Sequence, residues 1–439
     1  MIRPHQPLAA LPLLLAVAAP AEVVRLNSEE AVARALAVSP ELAARAHEEE
    51  AAAAAVALAD AARLPILSLG ATLARRSPVP EYRLPLGVVG EASPVLFPDI
   101  RTTAATSLTA QQPLYAGGAI QAGQRAARGE ADAASATRLA AQAELRLQTR
   151  TAYWQTLAAQ ARVEAARATV ERAQRLVADT QALLQAGLAI PADLLAAQER
   201  AASAQVALAG EETAAAIQRS RLASLLQLPL SDTLELADTL TTTLPSAPPP
   251  LESCLAQAAE RPELKALQAR RTSLHWREEL ALGAARPAVS LGAQWDLARP
   301  NSRYFPLAEE WDDSWALSVA VGWQLFDGGR TAAEAAAARA TGRALEAQQE
   351  DTRRRIELEV ETAWRQLSYA LGTVEAAETA LAAARERRRT SEERLAAGVG
   401  TVLDTLDAEA ALAAAQKAVI EVRATAWLAA AALERAVGR

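Results

Sequence analysis

The chain repeats itself. SPEL at 39–42 returns as RPEL at 261–264, and AARLPILSLGA at 61–71 returns as AARPAVSLGA at 284–293. PLYAGG (113–118) matches QLFDGG (324–329), and RTAYWQTL (150–157) matches VETAWRQL (360–367). LLQAGLAIPADLLAAQ (183–198) matches RLAAGVGTVLDTLDAE (394–409). The offset is 222 residues early in each unit, as from Pro65 to Pro287, and 211 residues later. The difference falls on a loop, 77–100, whose counterpart is shorter. A period this long is a duplicated domain and not a solenoid.

Both halves share one grammar. A helix (28–62, 251–285) stops before a proline, and two strand-like segments follow, about 66–76 and 102–114, then about 288–298 and 314–326. A long helix comes next (about 119–186, about 330–397), broken at Gly187 or Gly398 and followed by another (about 191–227, 401–437). The expected division is a leader at 1–21, a first repeat at 22–228, a linker at 229–250 and a second repeat at 251–439. Pro, Thr and Ser dominate the linker.

The strands carry a membrane pattern. In SWALSVAVGWQLF (314–326), Trp315, Leu317, Val319, Val321, Trp323 and Leu325 share one face, and Ser314, Ala316, Ser318, Ala320, Gly322 and Gln324 the other. That is the apolar-out, polar-in alternation of a barrel strand. Trp295, Trp311, Trp315 and Trp323 lie in the same region, as an interfacial aromatic belt requires. Four strands cannot close a barrel with a pore, and open edges are excluded from lipid. Several chains must therefore share one barrel, and three would supply twelve strands.

The long helices, at 1.5 Å per residue, reach about 100 Å and must project into water. Aromatic residues are 4% of the chain, and alanine dominates its apolar half. Small residues with interspersed Arg and Glu suit closely packed coiled-coil walls better than a compact core. The N-terminus, MIRPHQPLAALPLLLAVAAPAE, has a basic start, a short apolar run and a small-x-small site at Ala19–Ala21, which predicts a secretory signal.

Other functions find little support. Net charge is −7 with no basic aromatic-interleaved stretch, which argues against nucleic acid. One cysteine, Cys254, excludes an intramolecular disulfide framework and reads as a small apolar residue. His5, His47 and His275 are far apart, and no metal spacing, nucleophile elbow or phosphate loop appears, so neither an enzyme nor a cofactor is expected. The acids of AEEWDDSW (308–315) read as a solvated loop tip.

With these features together, the chain resembles the TolC family of outer-membrane efflux proteins. The resemblance rests on the duplicated order, on PLYAGG and QLFDGG, on AGLAIPADLLAAQ and AGVGTVLDTLDAE, and on the repeated P-E-L. It implies a mainly helical fold with a transmembrane β portion. It also implies a homotrimer: a twelve-stranded outer-membrane barrel continued by a helical tunnel through the periplasm. An adaptor and an inner-membrane pump are the implied partners, and outer-membrane lipid surrounds the barrel. Gly117, Gly118, Gly328 and Gly329 would carry the backbone from barrel to tunnel. Gly187, Leu188, Gly398 and Val399 match the positions where the family docks its adaptor.

Asp404 and Asp407 match the family's paired aspartates at the channel mouth, with Asp193 their first-repeat relative. Asp193 and Asp404 also read simply as acids near helix N-termini. One departure stands out: where well-known members lock the mouth with an arginine and a tyrosine, this chain has Gly400 and Leu395. A periplasmic coiled-coil adaptor or structural rod is the competing reading, but it would not need tryptophan-flanked strands in both halves.

Overall fold

A computed structural model describes residues 23–83, 95–229, 233–240 and 244–439. The expected leader at 1–21 lies outside the described residues. The first repeat contains β1 (Val23–Leu26), α1 (Ser28–Val38), α2 (Pro40–Ala61), β2 (Ile66–Arg75) and a small hairpin of β3 (Tyr82–Arg83) and β4 (Val95–Phe97). It continues with β5 (Thr102–Ala116), α3 (Ala119–Gln185) and α4 (Pro191–Leu225). After β6 (Thr233–Leu236) comes the second repeat: α5 (Leu251–Ala258), α6 (Pro262–Gly283), β7 (Ala288–Arg299), β8 (Asp312–Gly322), α7 (Arg330–Ala396) and α8 (Val402–Ala436).

Sequence and structure differ most clearly at the following places, each for a local reason. The single helix expected at 28–62 is two, because Ser39 leaves the helix and caps α2 from its side chain, with Pro40 as first helical residue. The helix expected at 251–285 divides likewise before Pro262. The last strand stops at Gly322, not at 326, because its partner β7 begins opposite that residue and the Trp323 indole donates instead to the Ala285 carbonyl. The expected linker is not all linker, since β6 within it pairs in parallel with β1.

The four long strands form one antiparallel sheet in the order β2-β5-β7-β8, so the two repeats meet at β5 and β7. Pro113 is tolerated inside β5 because the register shifts there. Beyond the sheet, α3 pairs with α4 and α7 with α8 as two long hairpins. Both α3 and α7 have 67 residues, about 100 Å of helix. No helix among the described residues is long and apolar enough to cross a membrane, which says nothing of strands.

The larger side chains gather midway along the helices. Trp154 of α3 stacks on Trp427 of α8 with centroids 4.2 Å apart, beside Leu157, Leu222 and Leu226. Tyr153 is fully buried; its hydroxyl donates to the Leu26 carbonyl and accepts from the Asp238 amide, fastening β1 and the linker to α3. A second cluster holds Cys254 with Ile356, Val360, Leu367 and Leu433, where the thiol packs as an apolar group. Arg261, 3% exposed, is held there by Glu263 and Glu359, and Arg435 closes the network onto Glu263.

Candidate functional site

The sheet is two-faced across all four strands. Leu69, Leu108, Trp295 and Trp315 sit opposite one another in turn, forming one apolar row. The adjacent row on the other face is Gly70, Ser107, Asp296 and Ser314. Alternation along each strand keeps the two sets apart. The apolar face is bare: Leu69, Leu73, Trp315, Leu317, Val319 and Val321 are all exposed. Both edges, β2 and β8, lack a strand partner among the described residues.

The four tryptophans do not sit at one level. Trp295 and Trp315 face each other near the β7–β8 loop, with Trp311 in that loop, while Trp323 lies at the helical end. From Trp315 to Trp323 is about 26 Å of extended chain. The set therefore brackets the apolar band at two heights.

The passage from strand to helix is built on left-handed glycines. Gly117 and Gly118 have φ of 63° and 88°, Gly328 and Gly329 of 68° and 86°. In the first repeat space is also limiting: a Cβ on Gly117 would lie 2.3 Å from the Gly283 carbonyl oxygen. Gly328 has open space around it. There Asp327 supplies the order, accepting from the amides of Gly329 and Thr331. The Thr331 bonds are the chief reason its carboxyl is lowered to about 2.

At the far end, both hairpins turn in the same way. Gly187 and Gly398 have φ of 74°, and the amides of Leu188 and Val399 bond back to the carbonyls of Leu183 and Arg394, closing the helix ends. Leu188 and Val399 project with about 70% of their surface free (71% and 69%). The following helices open with matched caps. Asp193 accepts from the Ile190 amide, and Asp404 accepts from both the hydroxyl and amide of Thr401. The Thr401 hydroxyl, then its amide, lower the Asp404 carboxyl, and the charges of Arg394 and Arg387 add to this. Asp407 is exposed one turn further on.

Gly400 and Leu395 have their own logic. A Cβ on Gly400 would lie 2.9 Å from the Leu395 nitrogen and 3.0 Å from the Arg394 carbonyl carbon, so a larger residue does not fit this turn. Leu395 is 9% exposed and packs with Leu176, Ala197 and Val402 in the core of the tip.

One feature escaped sequence reasoning. Arg172 of α3 donates from Nε to Glu409 of α8 at 2.8 Å, and Arg388 of α7 approaches the same carboxylate at 3.5 Å. Glu409 is nearly buried. Its signal was present only as the final residue of LDTLDAE, since nothing in the spacing ties it to an arginine 237 positions earlier. Among the described residues no group of acids, histidines and cysteine is placed to hold a metal.

The comparisons agree with this architecture. Solved structures similar along their length include the outer membrane protein VceC from Vibrio cholerae, with 21% identity, a TM-score of 0.77, and 94% of this chain and 96% of that one covered. The Campylobacter jejuni CmeC outer membrane channel matches with 15% identity and a TM-score of 0.78 over 94% of this chain and 85% of that one. The Neisseria gonorrhoeae MtrE outer membrane channel, in its open state, matches with 19% identity and a TM-score of 0.77 over 94% and 89%. No curated protein matches the chain. The sequence pattern of the family described as outer membrane efflux protein matches residues 31–227 and 256–439. The chain belongs to the outer membrane efflux protein family.

Proposed function

We propose that this protein is the exit duct of a tripartite efflux or type I secretion system, passing small molecules or proteins out through the outer membrane. Three copies would join their four-stranded sheets into a twelve-stranded barrel, apolar face to lipid and polar face to water. The helical hairpins would continue the barrel as a tunnel across the periplasm. One observation carries this reading: a sheet with a bare apolar face and two open edges stands at one end of paired helices about 100 Å long. A rod or adaptor gives no reason for such a sheet.

The tryptophans at two heights fit the aromatic girdles of a membrane barrel. The glycine passages at 117–118 and 328–329 mark the change from barrel to tunnel. Leu188 and Val399, projecting beside Gly187 and Gly398, are the surface offered to a periplasmic adaptor, which links the duct to an inner-membrane pump. Asp404 and Asp407 near the start of α8, and Asp193 near the start of α4, would supply carboxylates to the channel mouth.

The test is the mass and shape of the detergent-extracted protein, by light scattering and electron microscopy. A tapered three-chain tube is expected. A monomeric rod soluble without detergent would overturn the barrel and favour the adaptor.

A further inference from the structure

The last turns of α7 read RERRRTSEER (385–394), and the carboxylates there are engaged by only some of the arginines. Glu386 and Glu393 both pair with Arg389, while Glu392 and Glu409 take Arg388. Arg387 and Arg394 are left over. Neither side chain forms an ion pair or a hydrogen bond among the described residues.

These two arginines line one groove. With Thr390 and Ser391 they follow the i, i+3, i+4, i+7 spacing of a single helix face. That face looks into an open groove of about 460 Å³ between the end of α7 and the start of α8. The Ser391 hydroxyl lies there 3.2 Å from that of Thr405. Two acids share the lining, and both already have donors: Glu386 is turned to Arg389, and Asp404 is held by Thr401. The charges of Arg394 and Arg387 add to the Thr401 bonds in lowering the Asp404 carboxyl, yet neither arginine reaches ion-pair distance of it. With Arg389 behind Glu386, three cations stand against two carboxylates.

The first hairpin shows what these positions do without arginine. At the offset of 211 residues, Arg387 and Arg394 correspond to Leu176 and Leu183. Leu176 is buried with Leu395 and Val402 in the core of the tip, and Leu183 packs against the same cluster. Positions that serve the apolar core in one repeat carry exposed cations in the other. The duplicated pattern alone does not account for the arginines.

We propose that this groove is a binding site for a small polyvalent anion, bridged by Arg387 and Arg394. Each guanidinium presents a planar fork of donors that matches phosphate or carboxylate oxygens, and Thr390 and Ser391 add hydroxyls between the forks. Seven residues are about 10.5 Å of helix, a gap that two long side chains close by leaning together. An anion with several charged groups in a row reaches both arginines, whereas a single phosphate reaches one at a time. The site needs only one chain. Its place at the channel mouth rests on the duct reading, and there a bound anion would narrow the passage.

Titration calorimetry of the detergent-extracted full chain with sodium tripolyphosphate tests the site. Saturable binding is expected, weakened about tenfold or more by Arg387→Gln and by Arg394→Gln, the scale of one lost hydrogen bond to a charged group. Asp404→Asn should tighten it by removing an opposing charge. Arg353→Gln takes the same charge from a distant, exposed part of α7 and should leave the affinity unchanged. Citrate should bind as tripolyphosphate does, and orthophosphate far more weakly. No saturable heat, equal affinity for orthophosphate, or an equal loss in Arg353→Gln would overturn the site and leave the duct reading untouched. In planar bilayers tripolyphosphate should reduce the current of the parent but not of the double variant Arg387→Gln with Arg394→Gln. Binding without that reduction would remove the site from the mouth. The absence of any channel would sink the duct reading, with the calorimetric site still standing.

Discussion

Arg172 and Glu409 form an ion pair across the two repeats, close to the tip and almost closed to water, with Nε and Oε2 2.8 Å apart. Arg388 stands on the other side of the same carboxylate. Glu409 thus ties the α7–α8 hairpin to α3. Breaking a buried pair leaves a charge without compensation, a loss of about 3–5 kcal/mol at full burial. Glu409→Gln is expected to lose somewhat less than that, because an amide still accepts a hydrogen bond. It should loosen the tip while the midsection holds. Faster hydrogen exchange in the first turns of α8, with unchanged exchange around Tyr153, is the expected result.

The midsection has its own acid limit. Burial pushes the Glu263 carboxyl up, but hydrogen bonds from Arg261 and the charge of Arg435 more than reverse this and bring it to about 2. A carboxyl whose folded value is depressed stabilises the fold above its unfolded value near 4.5. That contribution fades as pH falls from there toward 2. At full effect it is roughly 3 kcal/mol, from about 1.4 kcal/mol per unit. Thermal melts between pH 5 and pH 2 should therefore fall less steeply in Glu263→Gln than in the parent, from a lower starting point.

The two strand-to-helix passages should respond differently to the same change. Gly117→Ala drives a methyl into the Gly283 carbonyl and forces α6 away from α3, so little folded protein is expected. Gly328→Ala meets open space within the chain and adds only the strain of a left-handed backbone, on the order of 1 kcal/mol. Circular dichroism of the Gly328 variant should match the parent. Equal damage in both would show that the passages are constrained alike.

At the start of α8, Asp404 and Asp407 should separate. Both are exposed, but Asp404 is held by Thr401 and lies near Arg394 and Arg387. Asp407→Asn is expected to weaken block by polyvalent cations in planar bilayers more than Asp404→Asn does. Asp404→Ala should instead weaken the α8 cap, because the Thr401 amide and hydroxyl lose the carboxylate that closes the capping box. A larger loss of block from Asp404 would reverse this assignment.

Much of this architecture was legible because duplication let each half check the other. The alternation in SWALSVAVG and the glycine stops in PLYAGG and QLFDGG carry local chemistry, and local chemistry leaves marks at fixed spacing. The helix break at Ser39–Pro40 is equally local, a cap and a first-turn proline, but the continuous helical pattern around it hid it from the sequence reading. By contrast, β6 is four residues long and owes its pairing with β1 to the chain's return past Tyr153. The Arg172–Glu409 pair depends on how two hairpins lie together, which no periodicity encodes. The same holds for Gly400: its lack of room belongs to the Arg394–Leu395 backbone, not to its neighbours in sequence.

The equal 67-residue length of α3 and α7 is in effect a ruler cut twice. Both hairpins must reach the same plane if their tips are to meet one adaptor. An insertion in one helix alone would leave its turn standing proud of the other. Any change in the reach of this protein therefore has to be made in both halves together.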